Sequence, residues 1–430
     1  MKKTFLFLLT VSGSLLCHAQ VMTPDDALQA GLKNNFDVII AKNAAEADSI
    51  MNSPGEAGML PTVSLNGSFG VNQNSIHQKY ANGNEFTANN AGSNSLTSSV
   101  SLSWTLFDGT KMFVTKHKLE TLQMQGEYEF RSQVLNTSAS ILTSYYDIVR
   151  QKQKLNAIDE VIKANQQRLD ITETRFTSGS GPKTDYNQAK IDLNVQLENR
   201  LVQAEALSES KRTLNNLLAR DVNTSFDVID SIPEGALPDR QQLEQKMYAS
   251  NPDLLAFKAQ VDVTKFEVRE ARSQYFPRLG VQAGYSFSQN QNSAGFSLYN
   301  QSNGPTAGVT LAFPIYQAGK VKRQVAVSTL DVNSAEMQFA RANLEASLQL
   351  QNGLSTYDLK AQSIVLEKEN VSLARENMQM ALDRLNLGQG TAFEVQQAQI
   401  TLSSSLSRLS DLQYEMKAAD ISVHRIAADL

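Results

Sequence analysis

One cysteine in 430 residues, Cys17, is all the thiol chemistry this chain has, and it lies in a stretch that reads as removable. Lys2 and Lys3 form a charged start, Thr4 to Leu16 an apolar segment, and Cys17-His18-Ala19 a small-x-small cleavage site. Cleavage near Ala19, giving a signal peptide over residues 1–19, would leave no cysteine, which excludes disulfides and thiol catalysis. About 13 apolar-leaning residues are too few for a membrane anchor. Lipidation of Cys17 is the alternative, and the bulky Leu16 before it argues against that.

Long apolar runs are also missing. Beyond the signal, no stretch of about 18 apolar residues exists, so no transmembrane helix is expected. Histidine is scarce. His18, His77, His117 and His424 stand far apart, without metal-ligand spacing, so neither metal nor cofactor is expected. A formal charge of −5 excludes a generic polyanion binder, and no nucleic-acid partner is expected. No nucleophile–base pair or paired catalytic carboxylates stand out, so the chain does not read as an enzyme. Gly179-Ser180-Gly181-Pro182-Lys183-Thr184 fails as a phosphate loop: its spacing is wrong, no strand precedes it, and Pro182 removes a needed N–H.

What the chain does have is itself, twice. Asn35-Phe36-Asp37 recurs as Asn251-Pro252-Asp253, and Leu60-Pro61 as Phe276-Pro277, each pair 216 residues apart. Phe107-Asp108-Gly109-Thr110-Lys111 answers to Tyr316-Gln317-Ala318-Gly319-Lys320 at a spacing of 209. Arg175-Phe176 with Gly179 and Gly181 answers to Arg384-Leu385 with Gly388 and Gly390 at the same spacing. A duplication on this scale sets the architecture. Repeat 1 is read over 20–219, a linker or equatorial segment over 220–238, and repeat 2 over 239–430.

Within repeat 1, Thr23-Pro24-Asp25-Asp26 is a helix start, and helical pattern is expected to run to about Met59, where Pro61 ends it. Strands are expected at about 62–73 and 96–107, with 74–95 as a long Asn/Gly/Ser loop. Val63, Leu65, Phe69 and Val71 alternate with Ser64, Asn66, Ser68 and Asn72; Val100, Leu102, Trp104 and Leu106 alternate with serines and Thr105. A proline-free helix over about 111–176 would extend ~100 Å at 1.5 Å per residue. A turn leads to a helix over about 183–218, with a stripe of Leu193, Leu197, Leu201, Ala204, Leu207, Leu214 and Leu218. Repeat 2 has the same plan, with a helix from about Asp239 to Tyr275 and strands at about 278–289 and 305–316. Its loop is expected at 289–304, its long helix over about 320–385 and its last helix over about 391–427. Two short helices stacked on one long helix in each copy suggest a coiled-coil rod.

Strands with one apolar and one Ser/Gly/Asn/Gln face are the pattern of an outer-membrane barrel. Aromatics are expected at strand ends, at Phe69, Phe107, Tyr285, Phe287 and Tyr316. Four strands cannot close a barrel, and an open edge cannot sit in lipid, so the chain is expected to oligomerise. Three copies supply 12 strands and leave a passage. A channel is therefore the reading. The alternative kept beside it is a non-channel coiled-coil envelope protein.

These residues resemble the TolC family of outer-membrane efflux and secretion channels over essentially the whole mature chain. The resemblance rests on the helix-to-strand joins at Pro61 and Pro277, the strand-to-helix joins at Gly109 and Gly319, and the twin tips Arg175-Phe176-x2-Gly179-x-Gly181 and Arg384-Leu385-x2-Gly388-x-Gly390. It implies a mainly α fold, with a trimeric 12-stranded β-barrel continuous with a long periplasmic helical barrel. It also implies a passive exit duct for a tripartite efflux pump or type I secretion system. The implied partners are two further copies, outer-membrane lipid, a periplasmic adaptor docking at Gly179, Gly181, Gly388 and Gly390, and an inner-membrane transporter of RND, ABC or MFS type. Entrance-gate positions carried over from the family are Asp185, Glu394 and Gln397. Gln397 lacks the charge that some members carry there.

Overall fold

The structure, a computed structural model, describes residues 21–235 and 237–430; the expected signal peptide lies outside them. In chain order the elements are β1 (Val21–Met22), α1 (Pro24–Asn34), α2 (Phe36–Met51), β2 (Thr62–Lys79), β3 (Glu85–Phe107), α3 (Lys111–Thr177) and α4 (Lys183–Leu217). Next come β4 (Asp227–Val228), α5 (Arg240–Ser250), α6 (Pro252–Ser273), β5 (Arg278–Asn292), β6 (Tyr299–Ala312), α7 (Lys320–Asn386) and α8 (Ala392–Ile426). Both long helices have 67 residues. No described helix is long and apolar enough to cross a membrane. The chain forms two compact units that cut across the duplication, since each repeat contributes to both.

The first unit holds the chain up to Ile40, Ser132–Asn251 and Glu345–Leu430. α1 begins with a reciprocal capping box in which Thr23 Oγ1 accepts from Asp26 N and Asp26 Oδ2 accepts from Thr23 N. Ala27, Ile141, Tyr145, Leu214, Phe226 and Ile421 form one core. The segment 220–238 is more than a linker. Its β4 pairs in parallel with β1, and Phe226, Val228 and Ile232 are buried in that core. A second cluster runs along α7 and α8, from Val371 and Met378 to Val395, Leu402 and Leu406, with many alanines. Small residues let these helices approach closely.

Each opening helix is broken where a single helix was expected. Asn35 and Asn251, the repeat-equivalent asparagines, sit in extended conformation between α1 and α2 and between α5 and α6. Asn35 Nδ2 donates to Leu217 O and Asn251 Nδ2 to Ile426 O, both at 2.8 Å. Each break thus satisfies a terminal carbonyl of the last helix in its own repeat, one of the groups a helix end leaves unpaired. α2 also stops at Met51 rather than Met59. Pro54 disfavours helical backbone at Ser53, and turns fill the interval to Pro61.

The second unit holds Ala41–Arg131 and Pro252–Leu344. Its sheet has the order β2-β3-β5-β6, antiparallel throughout. Cross-strand rows keep the two faces apart. Leu65, Val100, Tyr285 and Pro305 share one row, and Val63, Leu102, Ala283 and Ala307 the next. On the other face Ser64, Ser101, Gly284 and Thr306 align, with Ser64 Oγ and Ser101 Oγ 2.8 Å apart.

Both expected loops are mostly strand. β2 and β3 pair onward through Lys79↔Glu85 and leave a short turn, while β5 and β6 leave only residues 293–298 outside the strands. The expectation failed because polar Asn/Gly/Ser runs carry no hydrophobic period, whereas ladder hydrogen bonds need none. Phe69, Tyr285 and Phe287 consequently lie within strands. β6 in turn stops at Ala312, short of 316, because Pro314 has no N–H for the ladder.

The joins rest on left-handed backbone. Gly109 and Thr110 have φ +74° and +72°, and their repeat equivalents Ala318 and Gly319 have +48° and +72°. β2 and β5 begin directly after Pro61 and Pro277. The Asp108 carboxylate accepts from Met112 N at 3.1 Å and caps α3, a role Gln317 cannot copy with a charge.

Candidate functional site

The two helix tips belong to the first unit and are built as copies. In α3 the last turn closes when Ser180 N and Gly181 N both donate to Arg175 O, at 2.8 and 2.9 Å. In α7 Gln389 N and Gly390 N donate to Arg384 O at 2.8 and 3.0 Å. Gly179 and Gly388 supply the positive φ, +75° and +74°, that this helix-ending turn requires. A Cβ on Gly181 would come within 3.0 Å of Arg175 Cβ, and one on Gly390 within 3.1 Å of Arg384 Cβ. All four expected tip glycines are therefore explained by the turn itself.

The tips differ in how the next helix starts. Thr391 caps α8, its Oγ1 accepting from Glu394 N at 3.2 Å, whereas Pro182 precedes α4 without a side-chain cap. Glu394 is exposed and lies 3.8 Å from Arg384 Nη2 of its own tip, an exposed pair worth little. Gln397 is exposed three residues on, on the same helix face. Asp185 is half-buried in the first turn of α4. Arg175 Nη1 donates to Leu385 O at 3.2 Å and ties one tip to the other. Phe176 stacks on Tyr186, with centroids 5.9 Å apart.

One residue above the tips escaped the sequence reading. Arg168 is 1% exposed, and its Nη1 donates to Asp192 Oδ2 on α4 at 2.7 Å and to Gln399 Oε1 on α8 at 3.2 Å. One guanidinium thus bridges three helices. Its sequence neighbours give no signal, because the groups that bury it are 24 and 231 residues away. Nearby, Arg375 grips Glu160 with two bonds of 2.7 and 2.9 Å. That hydrogen bonding raises the Arg375 pKa above its usual value. Among the described residues no group of three His, Cys, Asp or Glu side chains is placed to hold a metal.

The apolar stripe of α4 is only partly intramolecular. Leu193, Leu214 and Leu218 are buried, but Leu197 is exposed and Leu201 is 68% exposed, beside exposed Val195 and Val202. The stripe is wider than the seam within one chain. In the second unit the apolar face of the sheet is likewise open, with Leu65 at 75% and Leu311 at 70% exposure.

Comparison with known proteins agrees with this arrangement. The chain is 20% identical over 403 residues to the alkaline protease secretion protein AprF of Pseudomonas aeruginosa, covering 92% of this chain and 82% of that one. It is 22% identical over 392 residues to the outer membrane protein TolC of Escherichia coli, covering 87% and 76%. Among solved structures, the Campylobacter jejuni CmeC outer membrane channel superposes with a TM-score of 0.78 at 15% identity, covering 94% of this chain and 85% of that one. The family model for outer membrane efflux proteins matches residues 27–220 and 243–428, one match in each repeat. The chain belongs to the outer membrane efflux protein family, whose members are channels of the outer membrane.

Proposed function

We propose that three copies of this chain close a 12-stranded barrel and form the outer-membrane exit duct of a tripartite efflux pump or type I secretion system. The observation that carries the reading is the four-stranded sheet with two unpaired edges, β2 and β6, and an exposed apolar face. An open edge in lipid leaves backbone groups unsatisfied at a cost of several kcal/mol each, so the sheet must be completed by further copies. Three copies leave a passage lined by the Ser/Thr/Gly/Asn face. The exposed leucines of α4 then find cover in a neighbouring helix. Cargo choice lies with an inner-membrane transporter of RND, ABC or MFS type. A periplasmic adaptor docks at the tips, over Gly179, Gly181, Gly388 and Gly390. The names of the relatives include both protease secretion and efflux, so either system remains within the reading. Purified protein is expected to run as a heat-modifiable trimer from the outer-membrane fraction and to conduct ions in planar bilayers. A soluble monomer would defeat the proposal.

The periplasmic entrance is assigned to the tips, with Glu394 from three copies ringing the axis beside Gln397, and Asp185 at the equivalent position of the other tip. Three carboxylates would make the entrance cation-selective and sensitive to multivalent cations. Arg384 competes for Glu394 within each chain, but an exposed pair at 3.8 Å leaves most of the charge available. Glu394→Gln is expected to lower cation selectivity and to relieve block by trivalent cations. Unchanged selectivity together with unchanged block in bilayer recordings would remove Glu394 from the gate.

A further inference from the structure

The sheet is nearly free of charge. Across β2, β3, β5 and β6 the only ionised side chains are Lys79, Glu85 and Arg278. Lys79 and Glu85 pair with each other at 2.8 Å beside the β2–β3 turn. Arg278 is different. It is the first residue of β5, is exposed and lies opposite Ala312, and its side chain makes no hydrogen bond or ion pair among the described residues. Strand alternation puts it on the polar face with Gly280, Gln282 and Gly284, since Leu279 and Val281 belong to the apolar rows. The repeat-equivalent residue, 216 positions earlier, is Thr62, which opens β2 on the same face. The polar face therefore carries hydroxyls, carboxamides and glycines, with one uncompensated positive charge at its helix-side end.

We propose that Arg278 sets the charge selectivity of the barrel section, favouring small anions and the carboxylate, phosphate or sulfonate groups of anionic cargo. The assignment rests on the channel reading, in which the polar face lines the lumen and three copies bring three guanidinium groups to one level. A ring of like charges in a pore of otherwise neutral lining fixes the sign of the local potential. Low-dielectric walls around it weaken screening relative to open solvent. Guanidinium adds a two-pronged donor geometry that matches oxyanions. The duplication sharpens the point, because the copies share strand and join but only the second carries the charge.

The test is the reversal potential of wild-type, Arg278→Gln and Thr62→Arg channels in planar bilayers under a potassium chloride gradient. Arg278→Gln is expected to lower the chloride-to-potassium permeability ratio about two- to fivefold, and Thr62→Arg, which doubles the ring, to raise it. Both shifts should be larger near 0.1 M salt than near 1 M, because the screening length falls from ~10 to ~3 Å. A purely structural disturbance would show no such salt dependence. If wild-type protein conducts and neither substitution moves the reversal potential at low salt, the assignment fails while the channel reading stands. If folded wild-type trimer conducts nothing, the channel reading fails and takes the assignment with it.

Discussion

Gly109→Ala is expected to lower stability by ~3 kcal/mol or more, while Gly319→Ala costs only ~1–2 kcal/mol. The two glycines stand in the same strand-to-helix join of the two repeats, one position apart, and both have positive φ. Positive φ is not what separates them. Copy 2 holds Ala318 at +48° where copy 1 has Gly109, and copy 1 holds Thr110 at +72° where copy 2 has Gly319. The backbone of this join thus accepts a side chain at either position, at a cost of ~1–2 kcal/mol. Space separates them. A Cβ on Gly109 would sit 2.3 Å from the backbone oxygen of buried Ser273 and 2.7 Å from Phe276 Cβ, and backbone cannot yield as cheaply as a side-chain end. A Cβ on Gly319 meets only the far end of Arg323, at 3.3 Å. Adding ~1–3 kcal/mol of overpacking to the conformational cost puts Gly109→Ala at ~3 kcal/mol or more. That is a large share of the ~5–15 kcal/mol that holds a domain folded. The temperature at which the heat-modifiable folded band is lost measures this; equal temperatures for the two variants would contradict it.

The second large effect is expected at Arg168. Replacing it with methionine removes the group that Asp192 and Gln399 share and leaves the Asp192 carboxylate facing a gap. Breaking a buried pair by deleting one partner costs ~3–5 kcal/mol. The lower end applies, because Asp192 is 19% exposed and regains some water. The loss should be local, seen as faster amide exchange and earlier proteolysis in α4 and α8 near the tips. Arg168→Met combined with Asp192→Leu should recover most of it, since no charge is then stranded. If exchange in both helices is unchanged by the single substitution, Arg168 is not the tie between them.

These two positions also show what could be read from residues alone. The joins were legible: a strand pattern ends, a glycine comes within three residues, and a proline-free helical run begins, in both copies. Local chemistry suffices there, because backbone preference and side-chain period act over a few residues. Nothing local distinguishes Gly109 from Gly319, because the obstacle to a side chain comes from Ser273 and Phe276, more than 160 residues away. Arg168 is the stronger case. In a long polar helix an arginine reads as a solvated charge, and only the positions of α4 and α8 bury it.

The sequence by itself determined the duplication, the two long helices and the one-sided apolar strands, because each is written as a period or a spacing. Tertiary structure alone decided the rest. It carried β2 and β3 through a polar stretch, since ladder hydrogen bonds are indifferent to side-chain polarity. It set the breaks at Asn35 and Asn251 against Leu217 O and Ile426 O, because which carbonyls those amides reach depends on where α4 and α8 end. It divided the α4 stripe into buried and exposed leucines, because burial depends on which helix lies alongside. And it left Arg278 as the unpaired charge on a neutral face, because which charges meet a partner is fixed by register and contact across the fold.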